Sequence, residues 1–270
     1  MEKFFQKLKS YIPFEIKIFL LKMSFYLNMK TKRDILEAFS KQKEQGIHTI
    51  PIFIVSYNRL SYLKQLVKVL EERGYNNIYI IDNNSTYPPL IEYYKSIQHK
   101  VIYLEKNLGH MAFWKSSLFD KYRNDFYVVT DPDVIPLEEC PNDFLELFFR
   151  ILEKYPFVRK VGFSLKIDDL PVDNVFSNEV YNWEKQFYKN KWNNMYYASI
   201  DTTFALYLPD RFCKPGNFFR AFRISYPYMA RHLPWYKKRT DVSEEDVYYS
   251  KHKTNGCWDV VNGFTRDLKK

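Results

Sequence analysis

Four short apolar runs, each closing on a polar cluster, limit what this chain can fold into more than any other feature. Residues 50–55, 78–81, 101–104 and 126–129 are continuous stretches of Ile, Val, Leu, Phe and Tyr, broken only by Pro51. A run that is apolar without alternation suits a strand buried on both faces, as in a parallel sheet with helices on either side. Helical patterns lie between the runs. Leu60, Leu63, Leu66, Val67 and Leu70 share one face and stop before Gly74, and a second helix over 90–97 follows Pro88 and Pro89. A third is expected over 111–122. The runs recur roughly every 25 residues, close to the ~30 of a βαβ unit, so the expected order is strand–helix repeated to a fourth strand, with right-handed crossovers.

The rest of the chain is harder to read. Residues 161–167 and 203–208 have strand character, and 140–155 has helical character. With no linker or low-complexity stretch, 47–270 is expected to be one α/β domain, in which 47–136 forms one half and 137–270 the other. Residues 1–46 precede it as two helical patterns, with Phe4, Phe5 and Leu8, then Ile16, Phe19, Leu20, Met23 and Leu27 at helical spacing. Lysines are interleaved, so this segment reads either as an interfacial amphipathic anchor or as a helical cap on the domain.

Charge sharpens that choice of partners. The net charge is +9, and the first 46 residues, with ten basic and five acidic residues, hold +5 of it. A local basic excess fits an anionic surface, and no zinc-finger spacing or RNA-binding motif points to nucleic acid. The apolar stretch 14–27 is interrupted by Glu15, Lys17 and Lys22 and is shorter than the roughly 20 residues a spanning helix needs. Three scattered cysteines, Cys140, Cys213 and Cys257, do not form a disulfide framework and fit a reducing cytoplasm. Tyr and Phe, 23 of each, can stack on sugars and bases, but an aromatic core is the better explanation of them.

The polar clusters carry the chemistry. Ser56-Tyr57-Asn58-Arg59 follows the first run, Asp82-Asn83-Asn84-Ser85 the second, Lys106-Asn107-Leu108-Gly109 the third, and Thr130-Asp131-Pro132-Asp133 the fourth. In an open parallel sheet, ligands bind in the crevice outside the carboxyl ends of the strands. All four clusters would face that crevice. Asp131 and Asp133, two residues apart at a strand end, can face one Mn²⁺ or Mg²⁺ that also takes diphosphate oxygens.

The sequence Ile52-Phe-Ile-Val-Ser-Tyr-Asn-Arg59, with Ile80-Ile-Asp-Asn-Asn-Ser85, Asn107-Leu-Gly109 and Thr130-Asp-Pro-Asp-Val134, resembles the nucleotide-sugar half of GT-A glycosyltransferases of the family 2 type, which include capsule and lipopolysaccharide transferases. The resemblance implies a GT-A fold and a nucleotide-sugar donor. It places Ser56, Tyr57, Asn58, Arg59 and Asp82 against the nucleotide, with Asn107 and Gly109 lining the same pocket. Asp131 and Asp133 would serve ribose, metal and diphosphate. It also implies a metal-ligating histidine from the later region, for which His232 and His252 are the candidates. Glu245-Asp246 resembles the acidic pair of inverting enzymes, with Asp246 as the base that deprotonates the acceptor and Glu245 on acceptor hydroxyls. The same residues read equally as a capping box, Ser243 with Asp246, opening a helix. The stretch Asp201-Thr202-Thr203, just before a strand, could reach the acceptor.

The expectation is therefore a metal-dependent transferase building surface polysaccharide, acting on a glycan or lipid-linked glycan at the inner face of the cytoplasmic membrane. Two rivals stay open. A nucleotidyltransferase making nucleotide sugars shares the sheet and the acidic site, but usually has a Gly-rich basic loop after the first strand, where this chain has Ser56 to Arg59. A non-catalytic scaffold of the same fold is the other. Dinucleotide-binding, P-loop and nucleophile-elbow glycine patterns do not occur.

Overall fold

A computed structural model of the chain describes residues 13–171, 177–209, 220–253, 258–259, 261 and 263–264. Strands β1 (Ile52–Ser56), β2 (Ile78–Asp82), β3 (Lys100–Tyr103) and β4 (Tyr127–Thr130) are parallel and ordered β3-β2-β1-β4. Helix α3 (Leu60–Glu72) joins β1 to β2, and α4 (Pro88–Ser96) joins β2 to β3. Two helices, α1 (Phe14–Leu27) and α2 (Met29–Gln45), come before this sheet. After β4 the chain adds β5 (Val134–Pro136), α7 (Phe144–Lys154), β6 (Lys160–Leu165), α8 (Ser177–Glu184), β7 (Lys191–Trp192), β8 (Met195–Tyr197), β9 (Ala205–Tyr207), β10 (Ala221–His232) and α9 (Glu244–His252).

The period of two along the central strands sorts side chains onto two layers. In β1, Ile52 and Ile54 join Leu63, Leu66 and Leu70 of α3, while Phe53 and Val55 join Phe113 and Phe119 on the opposite face. In β4, Val128 goes to the first layer and Val129 to the second. The helices on both faces explain why these runs show no polar alternation.

The later half is not a separate body. β9 pairs antiparallel with β4 on one side and with β6 on the other, so strands from 47–136 and 137–270 form one ten-stranded sheet. β10 continues it, parallel to β6 and antiparallel to β8 and β5. At the β6–β9 contact, Gly162 leaves no room for a side chain. A Cβ there would stand 2.3 Å from the Phe204 carbonyl oxygen and 2.9 Å from Ala205 Cβ.

The N-terminal helices cap the first layer. Ile18, Ile35 and Phe39 are buried in its core, and Lys41 bonds Asp125 at 2.8 Å. Two elements differ from the sequence expectation. The helix expected over 111–122 is split into α5 (Ala112–Lys115) and α6 (Ser117–Tyr122), because Ser116 is extended and its hydroxyl donates to the Phe113 carbonyl. The helix expected from 140 starts at Phe144. Cys140 is a free, buried thiol, and Cys213 and Cys257 lie outside the described residues.

Candidate active site

The parallel register sets the first part of the site. Ser56 pairs with Asp82 at the carboxyl ends of β1 and β2. Both are buried, and the Tyr94 hydroxyl lies 3.0 Å from Ser56 Oγ and 3.1 Å from Asp82 Oδ1. Asp82 also accepts from the Ser85 amide. Burial pushes its carboxyl above the usual range, against those hydrogen bonds.

The loop after β1 is braced by the loop after β2. Asn58 has φ +51, and its Oδ1 accepts from the amides of Thr86 and Tyr87 at 2.7 and 2.9 Å. Asn is among the few residue types that adopt this left-handed conformation readily. The Asn83 side chain does the same for the loop after β3. It donates to Asn107 Oδ1 and the Gly109 carbonyl, and accepts from the Leu108 amide at 2.8 Å. Asn107 and Gly109 thus lie beside the β2 end, with Asn107 Oδ1 also taking the Gly109 amide. Gly109, at φ +71, takes a conformation that suits glycine.

The acidic pair sits at the end of β4. The Asp131 amide donates to the Thr202 carbonyl at 3.1 Å, and the Thr202 hydroxyl donates back to Asp131 Oδ2. Burial, together with the nearby Asp133 and Asp201 carboxylates, pushes the Asp131 carboxyl up, and the Thr202 bond only partly opposes this. The β5–β10 pairing brings a histidine to the pair: His232 lies opposite Val134, and the Leu233 amide donates to the Asp133 carbonyl at 2.9 Å. His232 Nε2 stands 3.6 Å from Asp133 Oδ1. Burial pulls the imidazole below its ordinary value, with Arg59 adding to that and Asp133 opposing it.

Asp133 Oδ1 and His232 Nδ1 are both buried without a hydrogen-bond partner. Among the described residues, no group of three or more His, Cys, Asp or Glu side chains is close enough to hold a metal ion unaided. Asp131, Asp133 and His232 are donors of the kind a divalent cation takes, but the close approach is that of His232 Nε2 to Asp133 Oδ1, and the three are not gathered into a site by themselves. His252 is not brought to this pair. Its ring stacks on Tyr248 at the end of α9, with Nδ1 2.7 Å from the Tyr248 carbonyl, and its own carbonyl accepts from the Tyr57 hydroxyl.

Helix α9 covers the β1 loop through polar contacts. Arg59 Nη1 bonds Asp246 Oδ1 at 2.6 Å, with both side chains almost fully buried, and its guanidinium lies over the Tyr249 ring. Lys237 and the Ser243 amide and hydroxyl bond Asp246 Oδ2. Burial alone would raise the Asp246 carboxyl, but the Lys237 and Ser243 bonds, with the Arg59 charge, hold it down at about 2. Glu245 accepts from the Leu60 and Ser61 amides at 2.9 Å each and from the Ser61 hydroxyl, closing the N-terminus of α3.

This changes the reading of the acidic pair. The capping box at Ser243 and Asp246 is the one formed. A carboxylate with both oxygens occupied and a depressed pKa is a poor proton acceptor, and Glu245 is committed to α3 rather than open to acceptor hydroxyls. Two participants escaped the sequence reading: Thr202, which holds Asp131, and Lys237, which holds Asp246. Thr202 stood in a stretch singled out for the acceptor, whereas Lys237 belongs to a pair of adjacent lysines with no distinguishing signal.

A search among curated proteins finds no match to the chain. The family model described as Glycosyl transferase family 2 matches residues 52–218, from the start of β1 through β9 and over both aspartates of the β4 end. With more than half its length matched, and with the mixed sheet that arranges these loops, the chain belongs to glycosyl transferase family 2.

Proposed function

We propose that this glycosyltransferase moves a sugar from a UDP-sugar to a hydroxyl of a glycan or lipid-linked glycan, with a divalent cation, in the synthesis of a surface polysaccharide at the inner face of the cytoplasmic membrane. The observation that carries the reading is the Asp131 and Asp133 pair after β4, with His232 3.6 Å from Asp133, at the same carboxyl end of the sheet as Ser56 to Arg59 and Asp82. Asp82, at the β2 end, would take a ring N–H of the base, such as the imide of a uracil.

In this reading the amides and side chains of the β1 and β2 loops hold the nucleoside, and the Asn83–Asn107 bond keeps the β3 loop against it. Asp131, Asp133 and His232 would hold Mn²⁺ or Mg²⁺, which when bound stabilises negative charge on a departing diphosphate. Thr202 fixes the Asp131 carboxylate, and Asp246 fixes Arg59 in the loop after β1. Inversion at the anomeric carbon needs a group that accepts the hydroxyl proton. Asp246 could take that part only by exchanging Lys237 for the acceptor hydroxyl.

Calorimetric titration with UDP-, GDP- and CMP-sugars, with Mn²⁺ and with chelator, tests the donor assignment. UDP-sugars are expected to bind in the presence of Mn²⁺ and to lose most of that affinity with chelator. Failure of every nucleotide sugar to bind the folded protein would remove the proposal and favour a scaffold. Tighter binding of GDP- or CMP-sugars would overturn the UDP preference alone.

A further inference from the structure

Helix α1 is apolar on two opposite faces. One holds it to the domain: Ile18 is buried, and Phe14, Leu21 and Phe25 pack against the core, with the Phe14 ring edge-on to Trp192 at 5.9 Å. Lys22 turns to the same side, over the Phe157 and Trp192 rings. The other face is open. Ile16, Phe19, Leu20, Met23, Tyr26 and Leu27 are exposed, Phe19 by 60% and Leu27 by 74%. At about 100° per residue these six side chains fall within an arc of roughly 120°. A contiguous apolar stripe on an otherwise well-packed helix marks a contact surface rather than scattered surface hydrophobes.

The surrounding charge indicates what covers it. Residues 1–46 carry ten basic and five acidic residues, with Lys32 and Arg33 just beyond the C-terminus of α1, Arg33 also facing Asp34 and Glu37. Lys32 lies over the Tyr26 ring at 5.3 Å, which puts a cation at the edge of the stripe. Two copies meeting through this face would bring two basic flanks together. The α1 helix has 14 residues, and no described helix is long and apolar enough to cross a membrane. We propose that the exposed face of α1 docks in the plane of an anionic lipid surface, apolar side chains entering the headgroup boundary and the basic flank facing the headgroups.

Co-sedimentation of the full chain with phosphatidylglycerol vesicles and with phosphatidylcholine vesicles tests this, using the wild type and the Phe19→Ser, Leu20→Ser double variant. Both positions are exposed, so the variant is expected to keep its melting temperature. The wild type is expected to favour the anionic vesicles by about ten-fold or more, less so at high salt, and the variant to lose about ten-fold in binding. Equal recovery on both vesicle types, no recovery on either, or unchanged binding of the variant would overturn the proposal. So would a concentration-dependent dimer in sedimentation velocity that the double variant abolishes, since the face would then belong to a second copy.

Discussion

His232 Nε2 lies 3.6 Å from Asp133 Oδ1 because β10 pairs antiparallel with β5, which sets His232 opposite Val134 and the residue after it against the Asp133 carbonyl. The register of an edge pairing thus delivers a nitrogen donor to a carboxylate pair at the end of a central strand. The His232→Ala variant is expected to fold normally and to bind Mn²⁺ at least about ten-fold more weakly. Electron paramagnetic resonance titration of Mn²⁺ reads this directly, and unchanged affinity would take His232 out of the site.

Asp246 anchors Arg59 and Lys237, and its carboxyl is held at about 2 against an ordinary 3.8. A depressed carboxyl pKa stabilises the folded state above the unfolded value, and that stabilisation fades as pH falls from about 4 towards about 2. It amounts to about 2 kcal/mol. Asp246→Asn should lower stability at neutral pH by about 3 kcal/mol, since it leaves Arg59 buried without its partner. It should also flatten the stability profile across that acid window. Denaturant melts at pH 7, 4 and 3 measure both.

The same variant separates an anchor from a base. As an anchor, Asp246→Asn should raise the donor KM more than it lowers kcat and leave the shape of the pH–rate profile unchanged. A fall in kcat of about 10³-fold with loss of the acidic limb would instead make Asp246 the proton acceptor.

Glu245 closes the N-terminus of α3 from a helix remote in sequence. Glu245→Ala is expected to cost about 2 kcal/mol, the upper end of what a cap contributes, and to lower the melting temperature accordingly. A loss of activity with no change in stability would argue that Glu245 contacts the acceptor instead.

Gly162 sits where β6 meets β9 with backbone, not a flexible side chain, in the way of any Cβ. Gly162→Ala is expected to destabilise by about 3 kcal/mol or more, because two paired strands would have to separate. A thermal melt within a degree or two of wild type would contradict this account of the sheet junction.

The central sheet was legible because β1, β2 and β4 are mostly buried and so read as unbroken apolar runs, and because Pro88 and Gly74 mark helix ends, whereas β3, at the sheet edge, is half exposed. The strand-end positions of Ser56, Asp82 and Asp131 follow from the same pattern. The sequence did not disclose β10, a twelve-residue strand of mixed polarity that contains Pro227, and so it could not choose between His232 and His252. The β5–β10 register places His232, and not His252, beside Asp133. The acidic stretch at Glu245 and Asp246 was equally undecided, since a capping box and a catalytic pair use the same letters. Arg59 and Lys237 settle its partners, and both come from elsewhere in the chain.

The most direct test of sugar transfer at the Asp131–Asp133–His232 site is release of UDP from a panel of UDP-sugars, followed with Mn²⁺ and after chelation, for the wild type and Asp133→Ala. The account predicts turnover of one donor that stops with chelator, returns on adding Mn²⁺, and falls by at least about 10²-fold in the variant while its melting temperature is kept. Turnover in Asp133→Ala equal to wild type, or turnover indifferent to chelator, would contradict it.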